Sequence, residues 1–298
     1  MSSTSFTFNK FEFNNEKDLI FQGDASISKN NVLNLTKVDQ NGLPLGTSVG
    51  RVLYSAPIHL FSSSALASSF ETTFTFRISS NNSNNVGDGL AFFIAAPETT
   101  IPPGSNGRLL GLFSGPYTTD KVVAVEFDTY PNRDIGDPDF THIGIDINTL
   151  KSSAVGKWSV QSGAIATAYI SYDSVSKILS VISSYPNAAP VTVTHAFDLD
   201  KTLPEWVRVG FSGSTGLFSQ TNDILSWSFR WREIDMLANG EKMSNVPSCQ
   251  SPVRSGILPA NPFLERLRYV KLLNFIISSR ILPESRFLDR SRCSRFLG

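Results

Sequence analysis

Apolar and polar side chains alternate along most of the first 230 residues. The alternation is regular in residues 6–8, 71–78, 207–211 and 225–230, where apolar side chains recur at every second position. This period is typical of half-buried antiparallel strands, because successive side chains of a strand point to opposite faces of its sheet. We therefore predict a strand in each segment, with one face directed toward a core.

Clusters of Gly, Pro, Asn, Ser and Thr separate the alternating segments, as in residues 41–42, 79–85, 102–104 and 213–216. Such clusters indicate turns, and here they recur about every 8–12 residues. No helical periodicity and no strand–helix alternation precede residue 230. The pattern predicts an all-β, antiparallel jelly-roll sandwich, with the pairs Phe74/Phe76 and Trp227/Phe229 in its core.

The composition excludes some classes of protein. The 298 residues contain 26 Lys or Arg and 26 Asp or Glu, whereas a nucleic-acid-binding domain usually carries a basic patch. We expect no nucleic-acid partner. No apolar run reaches the length of about 18 residues that a transmembrane helix needs, so we also expect no transmembrane segment.

No apolar signal segment follows Met1. We expect either a cytosolic chain or one whose signal peptide has been removed and replaced by a start codon. Triplets that can accept a glycan begin at Asn34 and Asn81, and they favour a secretory route.

The composition changes after Trp231. Residues 251–298 contain nine Lys or Arg against three Asp or Glu, and the two cysteines of the chain lie at Cys249 and Cys293. Residues 261–280 have the pattern of one basic amphipathic helix, which is typical of a membrane-surface or partner helix. We predict a β-rich domain over 1–231 and a C-terminal extension over 232–298 that is disordered or partly helical.

One stretch, residues 122–146, carries candidate chemistry. Glu126 and Asp128 stand two apart on a predicted strand and so share a face. Adjacent carboxylates must be protonated, act as an acid–base pair, or be neutralised by a cation. The next residues offer further ligands: the Tyr130 carbonyl, Asn132, Asp137 and His142. Oxygen ligands suit calcium, and an imidazole with carboxylates suits manganese or zinc. The alternative is a polar turn with unrelated carboxylates.

Longer runs of sequence resemble a known family. They are residues 18–25 (DLIFQGDA), 87–94 (GDGLAFFI), 122–146 and 203–210 (LPEWVRVG). With them the chain resembles the legume lectins over roughly residues 4–230. Residues 101–113 and 216–218 are similar to the mannose/glucose-binding, concanavalin-like members, here in the ordinary, unpermuted chain order. The resemblance implies a carbohydrate-binding protein without enzymatic activity, built from a flat back sheet, a curved front sheet and a small third sheet.

The resemblance also implies two structural metal ions. A transition metal, usually Mn²⁺, would be held by Glu126, Asp128, Asp137 and His142. Ca²⁺ would be held by Asp128, the Tyr130 carbonyl, Asn132 and Asp137. Ser152 matches a residue that contacts a metal-bound water.

The sugar site that the resemblance implies is a shallow pocket between loops. Asp88 would accept hydrogen bonds from sugar hydroxyls, after a cis peptide bond to Gly87. Asn132 would donate its amide nitrogen to the sugar, and Tyr130 would offer its ring to the apolar sugar face. Backbone groups would complete the site: the N–H groups of Arg108, Leu217 and Phe218, with Gly107 allowing close approach.

The expected partners are mannose- or glucose-containing glycans and glycoproteins, bound by a homodimer or homotetramer. The family implies a seed or plant-defence protein of the secretory pathway, in the vacuole, the seed protein body or outside the cell. Three alternatives remain: a preference for galactose-type sugars, a lectin-like protein that has lost sugar binding, and a jelly-roll glycoside hydrolase. A retaining hydrolase needs two carboxyls about 5–5.5 Å apart. Glu126 and Asp128 resemble the start of its carboxylate row, but the position of the partner acid is Tyr130 or Pro131, so the second carboxylate is missing.

Overall fold

Strands form nearly all the regular structure of the chain. The computed structural model describes residues 3–60, 66–80 and 86–235. In this part of the chain the strands are β1 (Ser3–Phe8), β2 (Leu19–Gly23), β3 (Ser26–Ile27), β4 (Leu33–Asn34), β5 (Val49–Tyr54), β6 (Ile58–His59), β7 (Leu66–Ser79), β8 (Gly89–Ala95), β9 (Val122–Asp128), β10 (His142–Ile147), β11 (Ala154–Lys157), β12 (Ile165–Asp173), β13 (Ile178–Ser184), β14 (Val191–Ala196), β15 (Trp206–Ser214) and β16 (Thr221–Asp235). The helical elements are 3₁₀ turns at Phe13–Asp18, Gly107–Leu109 and Arg133–Ile135, and the α-helix α1 (Leu199–Thr202).

The strands form two antiparallel sheets. The back sheet has the order β14-β13-β12-β7-β16-β4-β3, and β1 also pairs with β16. The front sheet has the order β11-β10-β9-β8-β15-β5-β2, and β6 also pairs with β15. Neighbouring strands in these orders are often distant in sequence, which is the connectivity of a jelly roll. The predicted fold class is confirmed.

The main core lies between the two sheets and is rich in aromatic side chains. The predicted interior pairs Phe74/Phe76 and Trp227/Phe229 are buried. The ring of Phe211, from the front sheet, lies 4.8 Å from Phe74 and 4.8 Å from Trp227, centroid to centroid, in edge-on contacts. Full burial of such side chains stabilises the fold by about 1.5–3 kcal/mol each.

A second core covers the other face of the front sheet. The segment between β8 and β9 folds over this face and buries Leu110, Leu112 and Phe113 against Phe93 and Ala124. Strands β8 and β9 are therefore buried on both faces along their whole length. The small third sheet implied by the resemblance is not among the sheets of the described residues, because this covering segment forms turns rather than a paired ladder.

Strand β16 continues to Asp235, four residues beyond the predicted boundary at 231. The rest of the predicted extension, including the helix predicted over 261–280, lies outside the described residues. No helix in the described part of the chain is long and apolar enough to span a membrane.

Candidate functional site

Two carboxylates and one imidazole meet where β9 ends and β10 begins. Asp128, the last residue of β9, pairs with His142, the first residue of β10. Val125 and Phe127 point into the main core, so strand alternation places Glu126 and Asp128 on the opposite face. Ligand atoms of Glu126, Asp128 and His142 all lie within 4.8 Å of one another, and all three side chains are buried.

The hydrogen-bonding groups of this cluster fit a cation. Nδ1 of His142 lies 3.3 Å from the Phe140 carbonyl oxygen, a contact that orients the ring and turns Nε2 toward the carboxylates. Nε2 is 3.3 Å from Glu126 Oε1 but makes no hydrogen bond with any described residue. A buried lone pair facing carboxylates requires either a proton or a metal ion between them.

The pKa values in the cluster reflect its excess of negative charge. Burial lowers the pKa of His142, but the close contact with the Glu126 carboxylate and the charges of Glu126, Asp128 and Asp137 outweigh burial and raise the pKa to about 8. Burial, together with the charge of Glu126, raises the pKa of Asp128 well above its ordinary value. A divalent cation would neutralise this charge and displace the protons.

The loop after β9 brings the other predicted ligands toward the cluster. The Asn132 N–H donates to Asp137 Oδ2 at 2.7 Å, and the Tyr130 N–H donates to Asp128 Oδ1 at 2.6 Å. The 3₁₀ turn Arg133–Ile135 lies between these contacts. Among the His and acidic side chains of the described residues, Glu126, Asp128 and His142 form the one group of ligand atoms, so the roles of Asp137, Asn132 and the Tyr130 carbonyl stay predictions.

Ser152 and a residue that the sequence analysis missed, Asp146, border the cluster. Ser152 Oγ lies 2.6 Å from Glu126 Oε1 and 2.7 Å from Asp146 Oδ1. Burial, with the charge of Glu126, raises the pKa of the fully buried Asp146 well above its ordinary value. One signal was available in the sequence, because Asp146 is four residues after His142 on the same face of β10.

Gly144 leaves the space that the cluster occupies. It lies between His142 and Asp146 on β10 and pairs with Glu126. A Cβ at this position would stand 2.5 Å from Glu126 Oε1 and would also collide with Ser152 Oγ. The backbone here is therefore shaped to admit the carboxylate.

Asp88, the predicted sugar acceptor, lies just before β8, and a cis peptide bond joins it to Gly87. The predicted Gly107 and the unpredicted Gly216 flank its carboxylate. A Cβ on Gly216 would lie 2.9 Å from Asp88 Oδ2, and one on Gly107 would lie 3.7 Å away. Burial raises the pKa of Asp88 to about 6, with a smaller opposing effect from the Gly216 amide and Arg108.

Apolar side chains border Asp88. The rings of Tyr130 and Phe218 meet edge-on with centroids 5.1 Å apart, and both side chains pack against Gly87, the residue before Asp88. Tyr130 is 40% exposed and Leu217 is 92% exposed, so both are available to a ligand. The N–H groups of Leu217 and Phe218 find no acceptor among the described residues.

The side chain of Arg108 is paired with the metal loop and has no direct role at this site. Its Nη1 donates to Asp134 Oδ2 at 2.5 Å, on the metal loop. This leaves the backbone of Arg108 as the predicted sugar contact, and the ion pair links the Gly107–Leu109 turn to the metal loop.

A jelly roll that carries a cation-fitting cluster next to a buried carboxylate beside an exposed aromatic ring defines the class of lectin-like β-sandwiches. The family is narrower. Residues 3–245 match the legume lectin domain, and the chain belongs to the legume lectin family. The family predicted from the sequence is confirmed.

Individual relatives differ in the sugar that their names give. A lectin of Leucomphalos mildbraedii is 58% identical over 232 residues, covering 77% of this chain and 96% of the relative. The mannose/glucose-specific lectin of Centrolobium tomentosum is 43% identical, covering 76% and 95%. The solved structure of winged bean acidic lectin with methyl-α-D-galactose has 39% identity and a TM-score of 0.72, covering 78% of this chain and all of that chain.

Proposed function

We propose that this legume lectin binds mannose- and glucose-containing glycans at Asp88, in a site that depends on calcium and a transition metal. The observation that carries the proposal is the position of Asp88. A buried carboxylate, framed by Gly107 and Gly216, opens beside the exposed ring of Tyr130.

This arrangement suits the chemistry of a sugar. A saccharide presents hydroxyl groups around a ring with an apolar face, so its recognition needs a few fixed polar groups and one aromatic surface. Asp88 would accept hydrogen bonds from two hydroxyls, and the N–H groups of Arg108, Leu217 and Phe218 would donate. Asn132 would donate its amide nitrogen, and Tyr130 would cover the apolar face.

The metal ions have a structural role in this proposal. Glu126, Asp128, Asp137 and His142 would hold Mn²⁺ or another transition metal, with Ser152 contacting a bound water. Ca²⁺ would take the ligands Asp128, the Tyr130 carbonyl, Asn132 and Asp137. The ions neutralise the carboxylates and fix the loop that carries Tyr130 and Asn132, which reduces the entropy lost when sugar binds.

The proposed preference for mannose or glucose over galactose rests on the length of one loop. Only residues 215–220 connect β15 to β16, and this short loop holds Gly216 against the Asp88 carboxylate. The mannose/glucose-specific relative supports this preference. The galactose complex of a relative makes galactose the second candidate.

The test is calorimetric titration with methyl α-mannoside and, separately, methyl α-galactoside, with both metals present and after chelation. Metal-dependent binding of the mannoside, abolished in Asp88→Asn and unchanged in the surface control Glu98→Gln, would support the proposal. Binding of the galactoside alone would show that the site prefers galactose to mannose. Binding of neither glycoside would favour a lectin-like protein without a sugar site.

Two further expectations belong to the proposal. The carbohydrate-binding domain, residues 1–231 in our prediction, would pair through back sheets into a homodimer or homotetramer, because the outer edge of β1 has no partner strand among the described residues. The protein would reside in the secretory pathway, in the vacuole, a seed protein body or outside the cell. Analytical ultracentrifugation and localisation of a tagged chain would test these expectations.

A further inference from the structure

Four buried polar side chains lie inside the end of the sandwich, next to the backbone of Asp88. They come from the segment after β4, the metal loop and the start of β16, and none is more than 3% exposed: Thr36, Thr129, Gln220 and Asn222. We refer to these four residues as the buried polar chain.

Thr129 joins the buried polar chain to Asp88. Its Oγ1 donates to the Asp88 carbonyl oxygen at 2.9 Å, and the same oxygen accepts the Thr129 N–H at 2.9 Å. Thr129 Oγ1 also lies 2.8 Å from Gln220 Oε1. Beyond it, the Gln220 amide contacts Asn222 at 2.9 Å, and the Asn222 amide reaches Thr36 Oγ1 at 3.4 Å.

The direction of the hydrogen bonds follows from the single proton of a hydroxyl. Thr129 Oγ1 can donate fully to only one of the two oxygens beside it. The Gln220 Nε2 donates to Asn222 Oδ1 at 2.9 Å, so the Gln220 oxygen faces Thr129, and the single Thr129 proton is shared between Gln220 Oε1 and the Asp88 carbonyl oxygen. The hydroxyl therefore links the buried Gln220 side chain to the Asp88 carbonyl.

Packing alone does not require polar side chains at this depth. Buried polar groups are unfavourable in an apolar core unless they are paired, and apolar residues of similar volume avoid that desolvation. Thr129 has a further connection, because its chain neighbours are the cluster residue Asp128 and Tyr130, whose ring borders the sugar acceptor.

We propose that Thr129 is a positioning residue for sugar binding. Its hydroxyl, held by Gln220, fixes the carbonyl of Asp88 and so sets the direction of the Asp88 carboxylate relative to the Tyr130 ring. The hydroxyl thereby transmits the geometry of the metal loop to the sugar acceptor, while touching neither metal nor sugar. This inference rests on the proposed function.

The test compares Thr129→Val, which removes only the hydroxyl, with Thr129→Ser, which keeps it. Each variant is titrated with methyl α-mannoside and, separately, with Ca²⁺ and Mn²⁺. We expect Thr129→Val to weaken sugar binding about five- to tenfold, the effect of one lost buried hydrogen bond. Its metal affinities should change less than about twofold, and Thr129→Ser should bind like the wild type.

The matched control is Thr36→Val. It removes a hydroxyl from the far end of the buried polar chain, where Thr36 contacts Asn222 and the Gln220 carbonyl but not Asp88. The inference requires that this variant lose thermal stability without losing sugar affinity. An equal loss of sugar affinity in Thr36→Val and Thr129→Val would show that the buried polar chain has only a structural role, and it would overturn the inference.

Two other outcomes would also overturn it: wild-type sugar affinity in Thr129→Val, or a parallel loss of metal and sugar binding. If Thr129→Val does not fold, Thr129→Ala removes the same hydroxyl without adding a methyl group beside Gln220, and unchanged sugar affinity there is decisive. A wild-type chain that binds neither glycoside contradicts the proposed function as well, which separates the two failures.

Discussion

At the scale of single residues, the site depends on burying charge where the fold would be more stable without it. Asp88 is 9% exposed and has no ion-pair partner within 4 Å among the described residues. Its pKa is raised because burial disfavours the charged form. A carboxylate kept short of partners is a strong acceptor for the hydroxyls of a ligand, so in the proposed function the same residue lowers stability and provides binding.

The pKa of Asp88 predicts that sugar affinity depends on pH. Only the ionised carboxylate accepts hydrogen bonds from two hydroxyls. With a pKa of about 6, the affinity for methyl α-mannoside should be constant above pH 7 and about tenfold lower at pH 5. Calorimetric titration across this range, with metal occupancy measured at each pH, tests the prediction. A flat profile with both metals bound would contradict it.

The same shift predicts the sign of a stability effect. The pKa of Asp88 is higher in the folded chain than in the unfolded chain, so its contribution to stability is fully present at low pH and is lost as the pH rises through about 6. Asp88→Asn should therefore raise the melting temperature at pH 7.5 and have less effect at pH 4. Differential scanning calorimetry of the apo proteins would measure both values, and a lower melting temperature at pH 7.5 would refute the sign.

Gly144 gives a second prediction at this scale. In Gly144→Ala the new Cβ would stand 2.5 Å from Glu126 Oε1. Relieving such overlap in a packed site costs about 1–3 kcal/mol, so Mn²⁺ affinity should fall at least about fivefold. Ser152→Ala, which removes a contact without adding volume, should lose less Mn²⁺ affinity in the same titration. A larger loss of Mn²⁺ affinity in Ser152→Ala than in Gly144→Ala would show that the Ser152 hydrogen bonds matter more than the space left by Gly144.

At the scale of elements, strand alternation decides which side chains reach the site. On β9 the odd positions Val125 and Phe127 pack into the core, and the even positions Glu126 and Asp128 face the metal loop. On β16 a bulge at Leu225 interrupts the register, since Ile224 pairs with Phe76 whereas Ser226 pairs with Thr75. The extra residue lets both halves of β16 direct their large side chains into the core.

Deletion of Leu225 should therefore be far more harmful than its replacement. A shift of one residue turns either Trp227 and Phe229 or Asn222 and Ile224 away from the interior. We expect the deletion variant not to fold, and Leu225→Ala to lose less than about 2 kcal/mol, because the side chain is only half-buried. Urea unfolding followed by tryptophan fluorescence would measure the difference, and a cooperative transition in the deletion variant would contradict the role of the bulge.

At the scale of the whole molecule, the site forms where segments distant in sequence meet at one end of the sandwich. The main core holds the two sheets together, and the second core fixes the segment that carries Gly107 and Arg108 over the front sheet. Strand β9 belongs to both cores and ends in the carboxylate cluster. The cluster is therefore held rigidly, while its repelling charges oppose folding until a cation binds.

This balance predicts a proton-linked stabilisation by metal. His142, with a pKa of about 8, must lose its proton to act as a ligand. Binding of Mn²⁺ at pH 7 should release at least about one proton per site. Titrations in buffers of different ionisation enthalpy would count the protons, and His142→Gln should release fewer. Chelation should lower the melting temperature, since a ligand of the native state stabilises it by mass action; no change would exclude a structural metal.

The sequence by itself determined the all-β fold class, the interior side chains of several strands and the central cluster. Alternation is a local property of the chain, so Phe74, Phe76, Trp227 and Phe229 were assigned to the core without knowledge of the partner strands. Glu126 and Asp128 were assigned to one face for the same reason. The family was also determined by sequence, because its motifs span several strands.

Only the tertiary structure decided which distant residues meet. Gly216 and Asp88 lie on different loops, and Thr129 reaches Asp88 and Gln220 across about 40 and 90 residues of sequence. Asp146 was missed because its role depends on Glu126, on the neighbouring strand β9, and on Ser152, in the turn between β10 and β11. A pattern along one chain reports the face on which a side chain lies. The environment that shifts a pKa or completes a hydrogen bond is set by the packing of segments that the pattern does not connect.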